Sequence, residues 1–476
     1  MLIPLSSTAS GVVAYADKQY NQNGFTGTLT SKAVRFAEIE VVNSFTNAVL
    51  ASTSTDSSGA YNLSYTSFVG YPVKLRVIAS AALFGSPVAE VQNLQGQVYA
   101  VTTAVTSPTV NITVSADSPA GGAFNILDVL TSGTEFVSSQ TGAYPPEVVA
   151  YWDADSSAPY GTAYCSGVCT PGPGIFIIGN RGGDTDGYDD DVIWHEYGHF
   201  IAETYSRDDS QGGFHALGQN NLDLRLAWSE GWADFFPGAI KSWMRVNDPA
   251  RKSSAAGTPD SYYVDTVGDT WQISFDFGEP PATDAYMYSS SETGVAKVLW
   301  DLFSQFPTAS LWSVIDTYIP TVAAPANLES FWDGWYSIYG TDGAAIASSR
   351  NILNGRNIFY EEDTLEADGT FGTARAVTTQ LTETHYLYQP ADDDHDFVSF
   401  TAVAGQQYTV RTVNLKNRVY PTITVYRTDQ SSVLAAGLNS VLFTPATAET
   451  VYIEVKPYLA RPSSYGRYGT YTLTIN

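Results

Sequence analysis

One five-residue stretch constrains this 476-residue chain more than any other part of it. The stretch from His195 to His199 has the sequence H-E-Y-G-H and holds two of the five histidines in the chain. The six residues before it, D-D-D-V-I-W, predict a helix that begins with acidic residues and continues with apolar turns. Residues four apart lie on one face of a helix. Both imidazoles can therefore reach a single metal ion, with Glu196 beside them.

A second segment supplies the acid that such a metal site needs. Residues 226–236, L-A-W-S-E-G-W-A-D-F-F, predict another helix about thirty residues after His199. Catalytic zinc takes three protein ligands and keeps one position open, and two histidines with one glutamate are a known set. Glu230 is the predicted third ligand. Asp234, one turn further, is predicted to orient a ligand histidine through its free ring N–H. The two segments together favour a zinc site over an amphipathic helix with two satisfied histidines.

The two motifs, H-E-Y-G-H and S-E-G-W-A-D-F, resemble the gluzincin, or thermolysin-like, zinc metallopeptidases. The resemblance implies that His195, His199 and Glu230 bind Zn²⁺. It also implies that Glu196 is the general base for a zinc-activated water that attacks the peptide bond. Asp234 then supports a ligand from outside the metal's own coordination shell.

Two related peptidase patterns fit the chain less well. The metzincin pattern, H-E-x-x-H-x-x-G-x-x-H, fails because Ala202 and Tyr205 stand where it needs Gly and His. Gluzincin aminopeptidases carry a G-A-M-E-N signature, and residues 122–125, G-A-F-N, match it only superficially. The sequence therefore favours an endopeptidase, with a zinc aminopeptidase as the alternative.

A peptidase also needs a hydrogen-bond donor for the oxyanion of its tetrahedral intermediate. In gluzincins this donor is a Tyr or His beyond the helix of the third ligand. Tyr286 and Tyr288, just before a helix predicted to begin at Glu292, are the catalytic candidates. His215 lies in the Gly-rich connection between the two motifs, where a solvated role is favoured over one in the cleft.

The charge balance excludes several classes of partner. The chain has 49 acidic and 23 basic residues and a net charge of −26, which argues against binding to nucleic acid or to an anionic membrane surface. No apolar stretch approaches the roughly 18–20 residues of a membrane span. The expected partner is a protein or peptide substrate.

The two cysteines indicate a cellular compartment. Cys165 and Cys169 stand in a C-x₃-C spacing in a Pro/Gly-rich loop, which favours a small disulfide ring over two unpaired thiols. A disulfide implies an oxidising compartment, so a secreted protein is predicted. The first residues, M-L-I-P-L-S-S, are too short for a signal peptide and lack its basic start, which indicates a mature start after removal of an export signal.

Composition and periodicity predict a multidomain chain in which a β-sandwich is followed by an α+β zincin-like catalytic domain and a second β-sandwich. The N-terminal alternation of apolar residues gives way to helical patterns and then returns. The predicted domain boundaries are 1–118, 119–375 and 376–476.

Both terminal domains resemble known modules. Residues 55–61, T-D-S-S-G-A-Y, and the preceding strand at 37–42 resemble the carboxypeptidase regulatory-like family. Residues 394–397, D-H-D-F, and 404–410, A-G-Q-Q-Y-T-V, resemble the bacterial pre-peptidase C-terminal domain, in which His395 is expected at the surface or in a turn. The chain has Y-P-T at residues 420–422 where that family usually has A-D-T, which weakens the case for a calcium site in this domain.

An acidic loop precedes the metal helix, and calcium is a second candidate cofactor there because hard cations take clustered carboxylates. Helix capping and stabilisation of the helix dipole are the favoured explanation. The loop acids are Asp184, Asp186, Asp189, Asp190 and Asp191.

A short apolar strand, G-I-F-I-I-G at residues 174–179, ends shortly before the metal helix. We predict that this segment, through Asn180, forms the edge of the cleft and pairs with an extended substrate. A central buried strand is the competing interpretation, because parallel strands covered on both faces are also uninterrupted apolar runs.

The sequence as a whole predicts a secreted zinc endopeptidase. The rival outside the enzymes is a non-catalytic surface adhesion or glycan-binding protein, in which the two β-domains would carry the function. The intact Glu196 beside the two histidines favours the enzyme.

Overall fold

The computed structural model describes residues 3–180, 183–251, 257–267, 271–281, 287–388 and 394–476. Backbone contacts divide the chain into two units, each built from two stretches. The first unit is Met1–Tyr205 with Ala233–Gly278, and the second is Ser206–Trp232 with Glu279–Asn476. The chain is rich in β-sheet at both ends and has helices between them, as predicted.

The first unit begins with nine strands. In those at Ala60–Phe68 and Val73–Leu83, buried side chains alternate with more exposed ones, the period of two that a pleated strand imposes. One sheet has the order β2-β1-β5, with β9 also paired to β1. The strands are β1 (Pro4–Asn21), β2 (Gly24–Ala33), β3 (Ala37–Asn43), β4 (Val49–Ser54), β5 (Ala60–Phe68), β6 (Val73–Leu83), β7 (Ser86–Gln92), β8 (Ala100–Ala104) and β9 (Ile112–Val114).

A second sheet runs across the predicted boundary at residue 118. Its order is β11-β12-β10-β7-β6-β3-β4, with β8 also paired to β6, where β10 is Val148–Trp152, β11 is Ala163–Cys165 and β12 is Gly174–Ile177. Strand β10 pairs in parallel with β7, and helix α1 (Gly121–Thr141) lies between them in the chain. A parallel pair needs a crossover of this kind. The N-terminal strands and the following segment therefore share one sheet within the first unit.

Helix α2 (Asp190–Tyr205) carries the H-E-Y-G-H stretch and packs on α1 through specific contacts. The Trp194 indole N–H donates to the carbonyl of Val129 at 2.8 Å. A Cβ on Gly133 would lie 2.8 Å from the ring of Tyr197, so the absence of a side chain there lets the two helices approach. Helix α3 (Leu224–Asn247) and the hairpin of β13 (Tyr262–Val267) and β14 (Trp271–Asp276) follow.

The second unit contains a helical group and a β-sandwich. The helices are α4 (Glu292–Gln305), α5 (Thr308–Trp312), α6 (Leu328–Tyr339) and α7 (Gly343–Gly355). Asp342 caps α7 by accepting from the backbone N–H groups of Ala344 and Ala345. The helix ends at Gly355, and Asn357 shortly after it has a left-handed φ of 56°.

The C-terminal strands form two facing sheets. Their orders are β15-β17-β22-β19-β20 and β16-β23-β18-β21, and Val398, Tyr408, Ile453 and Leu473 belong to the core between them. The strands are β15 (Arg375–Ala376), β16 (Leu381–Leu387), β17 (Asp396–Ala402), β18 (Tyr408–Val413), β19 (Pro421–Tyr426), β20 (Val433–Leu438), β21 (Ser440–Phe443), β22 (Glu449–Pro457) and β23 (Gly469–Ile475). The C-terminal region is therefore a β-sandwich. Among the described helices, none is long and apolar enough to cross a membrane.

Candidate active site

Helix α2 presents both motif histidines on one face. The Nε2 atoms of His195 and His199 lie 3.3 Å apart, and their rings are nearly perpendicular at 78°. His195 is 9% exposed and Glu196 is 8% exposed, so the motif lies largely inside the protein. The i, i+4 spacing thus brings two imidazole nitrogens to one point, as the sequence predicts.

Helix α3 carries the acidic residues of the second motif. One ligand atom from each of His195, His199 and Glu230 lies within 4.8 Å of the other two. Asp234, one turn after Glu230 on the same helix, has Oδ1 3.0 Å from Nδ1 of His195. That contact leaves Nε2 of His195 to face the other ligand atoms.

The geometry of these side chains fits a zinc ion. Two nitrogens bound to one tetrahedral zinc at about 2.0–2.1 Å stand about 3.3–3.4 Å apart, and the two Nε2 atoms are 3.3 Å apart. A carboxylate on the distal nitrogen of a ligand histidine is the usual support of such a site, and Asp234 occupies that position. The donor set of two imidazoles and one carboxylate is one that zinc accepts.

Two glycines let neighbouring helices pack closely around these metal-ligand candidates. A Cβ on Gly198, between the two histidines, would lie 3.2 Å from Cα of Ala233. A Cβ on Gly231, directly after Glu230, would lie 2.6 Å from the backbone oxygen of Glu292. Real Cβ atoms do not come this close to backbone, so Gly231 lets α3 lie against α4. Gly231 belongs to the S-E-G-W motif, and the sequence alone did not indicate this packing role.

Glu196 contacts the edge of the large sheet. Its Oε2 accepts a hydrogen bond from the backbone N–H of Tyr164 on β11 at 2.6 Å. Strand β11 is the last strand of its sheet and pairs with β12 alone among the described strands. The edge of the sheet beside Glu196 is therefore β11.

The prediction that residues 174–180 form the cleft edge is wrong. Strand β12 is hydrogen-bonded on both sides, antiparallel to β11 and parallel to β10. Beyond it, the backbone N–H of Gly179 donates to Ser156 and the carbonyl of Ile178 accepts from Asp186. The uninterrupted apolar run marks a central strand, as runs covered on both faces usually do. The true edge strand, with the sequence A-Y-C, is too short to show a periodic pattern.

His215 lies beside the predicted third ligand. Its Nδ1 is 2.9 Å from Oε2 of Glu292, and its Nε2 is 3.6 Å from Oε1 of Glu230. The imidazole is 35% exposed, so it is neither buried nor freely solvated. The sequence favoured a solvated loop histidine, because no spacing rule connects His215 to either carboxylate.

Of the two tyrosines proposed as oxyanion donors, the structure describes Tyr288. Tyr286 lies outside the described residues. The hydroxyl of Tyr288 accepts a hydrogen bond from Nζ of Lys416 at 3.2 Å, and the same Nζ lies 4.9 Å from the centre of its ring. A tyrosine that the sequence missed, Tyr263 of β13, has its ring 6.0 Å from that of His195. Burial and neighbouring carboxylates raise the pKa of Tyr263 well above its usual value.

The acids of the loop fall into two groups with different contacts. The side chain of Asp189 accepts from the backbone and hydroxyl of Thr266, and that of Asp191 accepts from Nζ of Lys241 at 2.8 Å. Asp190 and Asp191 lie in the first turn of α2, where acids complement the helix dipole. These side chains thus also join the helix to its neighbours, which the sequence could not indicate.

The other two loop acids form a carboxylate trio with a residue from β13. One oxygen each of Asp184, Asp186 and Asp265 lies within 4.8 Å of the others. Burial raises the pKa of Asp186 well above its usual value, and burial with the nearby Asp184 raises that of Asp265 to about 6. Like charges this close favour either protonation or a bound cation. From the sequence, calcium was the less favoured explanation of this loop, and Asp265 was not part of that prediction.

A larger group of acids lies in the second unit, around the start of the C-terminal sandwich. We call it the C-terminal acidic cluster, and its members are Asp363, Glu366, Asp368, Asp394 and Asp396. Within it, Glu366, Asp368 and Asp396 form one trio of ligand atoms, and Asp363 and Asp396 form another with His385.

Burial perturbs the charges of this cluster. Burial, reinforced by neighbouring carboxylates, raises the pKa of Glu366 to about 7 and the pKa of both Asp368 and Asp394 to about 6. Burial also raises the pKa of Asp396 well above its usual value and lowers the pKa of His385. The D-x-D-F motif contributes two members, whereas the remaining members were not singled out because their segment matches no spacing rule.

The predicted disulfide between Cys165 and Cys169 is present. It closes the loop that follows β11, the edge strand beside Glu196. His395 lies at the start of the C-terminal strands with Nδ1 2.7 Å from Oε1 of Glu454, and it is partly exposed.

Comparisons with known proteins add little to this site. No family model matches the chain, and no curated protein matches it. The chain is similar to the pre-peptidase C-terminal domain of a collagenase from Bacillus anthracis at 17% identity and a TM-score of 0.18, covering 22% of this chain and 94% of that one. It is also similar to PliG, a periplasmic inhibitor of g-type lysozyme from Aeromonas hydrophila, at 16% identity and a TM-score of 0.16, covering 22% and 96%.

A third similar structure is CorA, a surface-associated copper-binding protein from Methylomicrobium album BG8, at 9% identity and a TM-score of 0.18, covering 22% of this chain and 96% of that one. TM-scores this low carry no inference about the chain. The function is therefore argued from the site itself.

Proposed function

We propose that the protein is a secreted, zinc-dependent endopeptidase of the gluzincin type. The observation that carries the proposal is the 3.3 Å separation of the His195 and His199 Nε2 atoms, with a carboxylate oxygen of Glu230 in the same group. Zinc, when bound by these three residues, lowers the pKa of a water and polarises a substrate carbonyl.

The residues around the metal group have separate tasks. One oxygen of Glu196 is held by the backbone N–H of Tyr164, which fixes the carboxylate so that its other oxygen can take a proton from water and pass it to the leaving amine. Asp234 holds the ring of His195. The burial of Glu196 excludes bulk water, which strengthens electrostatic interactions with a reacting group.

Strand β11 supplies the binding surface for a peptide in this proposal. Its outer edge has no partner strand in the described part of the chain, so an extended peptide can add to it by main-chain hydrogen bonds. The backbone N–H of Tyr164 points to Glu196, which brings the added strand next to the general base. Recognition through the main chain suits an endopeptidase that accepts many sequences.

Calcium is proposed as a structural ion of the carboxylate trios. Asp184, Asp186 and Asp265 form one trio, and Glu366 and Asp368 of the C-terminal acidic cluster form another with Asp396. Oxygen-only groups of this kind suit a hard cation, which neutralises carboxylates that otherwise repel one another. The disulfide and the calcium sites together suit a secreted protein.

The test is the substitution Glu196→Gln. It should keep the metal ligands and reduce cleavage of casein by about 10²–10⁴-fold, because the base is lost. Asp117→Asn, which changes an exposed carboxylate outside the metal helices, is the control and should cleave like the parent. If Glu196→Gln cleaves at the parental rate while zinc remains bound, Glu196 is not the base.

An internally quenched peptide with both ends blocked separates the two kinds of peptidase. An endopeptidase cleaves it, whereas an aminopeptidase cleaves only the matched peptide with a free N-terminus. A protein that cleaves neither peptide nor casein, although zinc is bound, would be the non-catalytic alternative.

A further inference from the structure

His385 is a buried histidine far along the chain from the metal helices. It lies on β16, and its side chain has no exposed surface. Neither ring nitrogen makes a hydrogen bond in the part of the chain that the structure describes. Buried polar atoms are almost always satisfied, and leaving one unpaired costs about 1–3 kcal/mol. A bound ligand would satisfy a ring nitrogen of His385.

The surroundings of the ring point to a cation. Nδ1 lies 3.9 Å from Oδ2 of Asp363 and 4.0 Å from Oδ2 of Asp396, both too long for hydrogen bonds. Ligand atoms bound to one ion at about 2.0–2.2 Å stand about 3.3–3.6 Å apart at tetrahedral angles and at most about 4.0–4.4 Å apart on opposite sides of the ion. The three side chains each offer one ligand atom within 4.8 Å of the others, so small side-chain movements would bring all three onto one shared ion.

The three side chains are held in place by their own partners. The ring of His385 stacks on Tyr471 with centroids 5.2 Å apart and an angle of 9° between planes. The hydroxyl of Tyr471 donates to Oδ2 of Asp396, and the backbone N–H of Tyr386 donates to Oδ2 of Asp363 at 2.8 Å. Hydrogen bonds of this kind orient the ligands of metal sites.

We propose that Asp363, His385 and Asp396 bind a divalent transition-metal ion of the zinc class. Imidazole suits zinc and its neighbours in the first transition row, whereas calcium takes oxygen ligands. The adjacent oxygen-only trio, Glu366 and Asp368 with Asp396, has the chemistry of a separate hard-cation site. The two sites share Asp396, so one carboxylate bridges two ions of different kinds.

The site joins parts of the chain that are otherwise linked through the core. His385 lies on β16 of the four-stranded sheet, and Asp396 lies on β17 of the five-stranded sheet. Asp363 precedes both sheets in the chain. An ion on these ligands ties the two sheets to each other and to the segment that leads into them. The stability of the sandwich then depends on metal concentration, because an ion that binds only the folded chain stabilises it.

The experiment counts zinc in the full chain. Protein stripped with a chelator is saturated with zinc in excess calcium, freed of unbound metal by gel filtration, and analysed by mass spectrometry of the metals. We expect two zinc ions per chain, one at this site and one at the helical site. His385→Asn should lose one of them, with affinity at that site weakened by at least about 100-fold.

The matched control is His395→Asn, ten residues further along the chain, where Nδ1 lies 2.7 Å from Oε1 of Glu454. It should keep the parental count. His199→Asn removes the helical site and should also lose one zinc, so the failure of that site and the failure of this one give different results. If His385→Asn binds as much zinc as His395→Asn, the proposal is overturned.

A second measurement leaves the cluster unchanged, so it does not depend on whether His385→Asn folds. The chain that carries both His195→Asn and His199→Asn, and so has no imidazole left at the helical site, is loaded with one equivalent of zinc and examined by X-ray absorption at the zinc edge. Scattering from one imidazole and otherwise oxygen ligands supports the site. A shell of oxygen atoms alone, or no retained zinc, contradicts it.

Discussion

The helical metal group and the C-terminal acidic cluster differ in how the chain encodes them. His195 and His199 lie on one helix, where a spacing of four residues fixes a shared face before any tertiary structure is known. His385 and Asp396 lie on strands of two different sheets, and no local spacing relates them. The side chains that share a helix face can be predicted from their spacing in the sequence. Those that meet in a β-sandwich depend on which strands pair and how the sheets pack.

The two regions also differ in chemistry. The helical group has two imidazoles, one carboxylate ligand and a separate base, a set that leaves a coordination position for substrate. The cluster instead gathers five carboxylates, two of which face one buried imidazole, and burial raises the pKa of several of them. The first arrangement suits catalysis, and the second suits structural ions that relieve repulsion.

The largest expected effect is that substitutions in the helical metal group and in the C-terminal acidic cluster change different properties, cleavage in one case and calcium-dependent stability in the other. His199→Asn should abolish cleavage of casein, because the zinc ligand set is broken, yet leave the calcium-dependent rise in unfolding temperature intact. Asp368→Asn should do the reverse, with cleavage close to the parental rate and a smaller rise with calcium. The measurements are initial cleavage rates at saturating zinc and thermal unfolding with and without calcium.

A result in which Asp368→Asn lowers cleavage as strongly as His199→Asn would break the comparison. It would mean that the C-terminal cluster acts on the reaction and is not only structural.

The next effect concerns the support of the helical site. Asp234→Ala should weaken zinc retention by about 10–100-fold without unfolding the chain, because the ring of His195 loses the carboxylate 3.0 Å from its Nδ1. The readout is competition for zinc with a chelator of known affinity. Asp234→Asn, which keeps an oxygen at the same position, is the control and should recover part of the loss. If Asp234→Ala retains zinc as well as the parent does, Asp234 does not support the zinc site and only packs in the helix.

The sequence predicted that His195 and His199 share one face of a helix, and their Nε2 atoms lie 3.3 Å apart. That these residues and Glu230 bind zinc stays a prediction, which the grouping of their ligand atoms supports. The sequence did not reveal β11 as the edge strand, because three residues cannot show a period and the apolar run of β12 is stronger. It also missed the sheet that joins β7 to β10, since strand neighbours depend on tertiary pairing. The sandwich strands were found by alternation, but their shared acids were not.

A smaller effect tests whether helix contacts set the geometry of the catalytic group. Gly231→Ala places a Cβ 2.6 Å from the backbone oxygen of Glu292, so α3 must shift away from α4. The clash should outweigh the better helix propensity of alanine and destabilise the fold by about 1–2 kcal/mol, with weaker zinc retention. Gly343→Ala, whose Cβ meets nothing within 4 Å, is the control and should change stability by less than about 0.5 kcal/mol. A Gly231→Ala chain as stable as the control would show that the helices can adjust.

The smallest effect is the pH dependence of the metal-free sandwich. Burial raises the pKa of Glu366 to about 7 and that of Asp368 to about 6, above the values of about 4 expected in the unfolded chain. Between these values the folded chain binds more protons than the unfolded chain, so stability falls as pH rises from about 4 to 7. Calcium binds the ionised carboxylates and should offset this loss. The rise in unfolding temperature on adding calcium should therefore be larger by a few degrees at pH 8 than at pH 5. Asp368→Asn should reduce that difference, because it removes one of the titrating groups, and equal rises at both pH values would show that these carboxylates do not bind the ion.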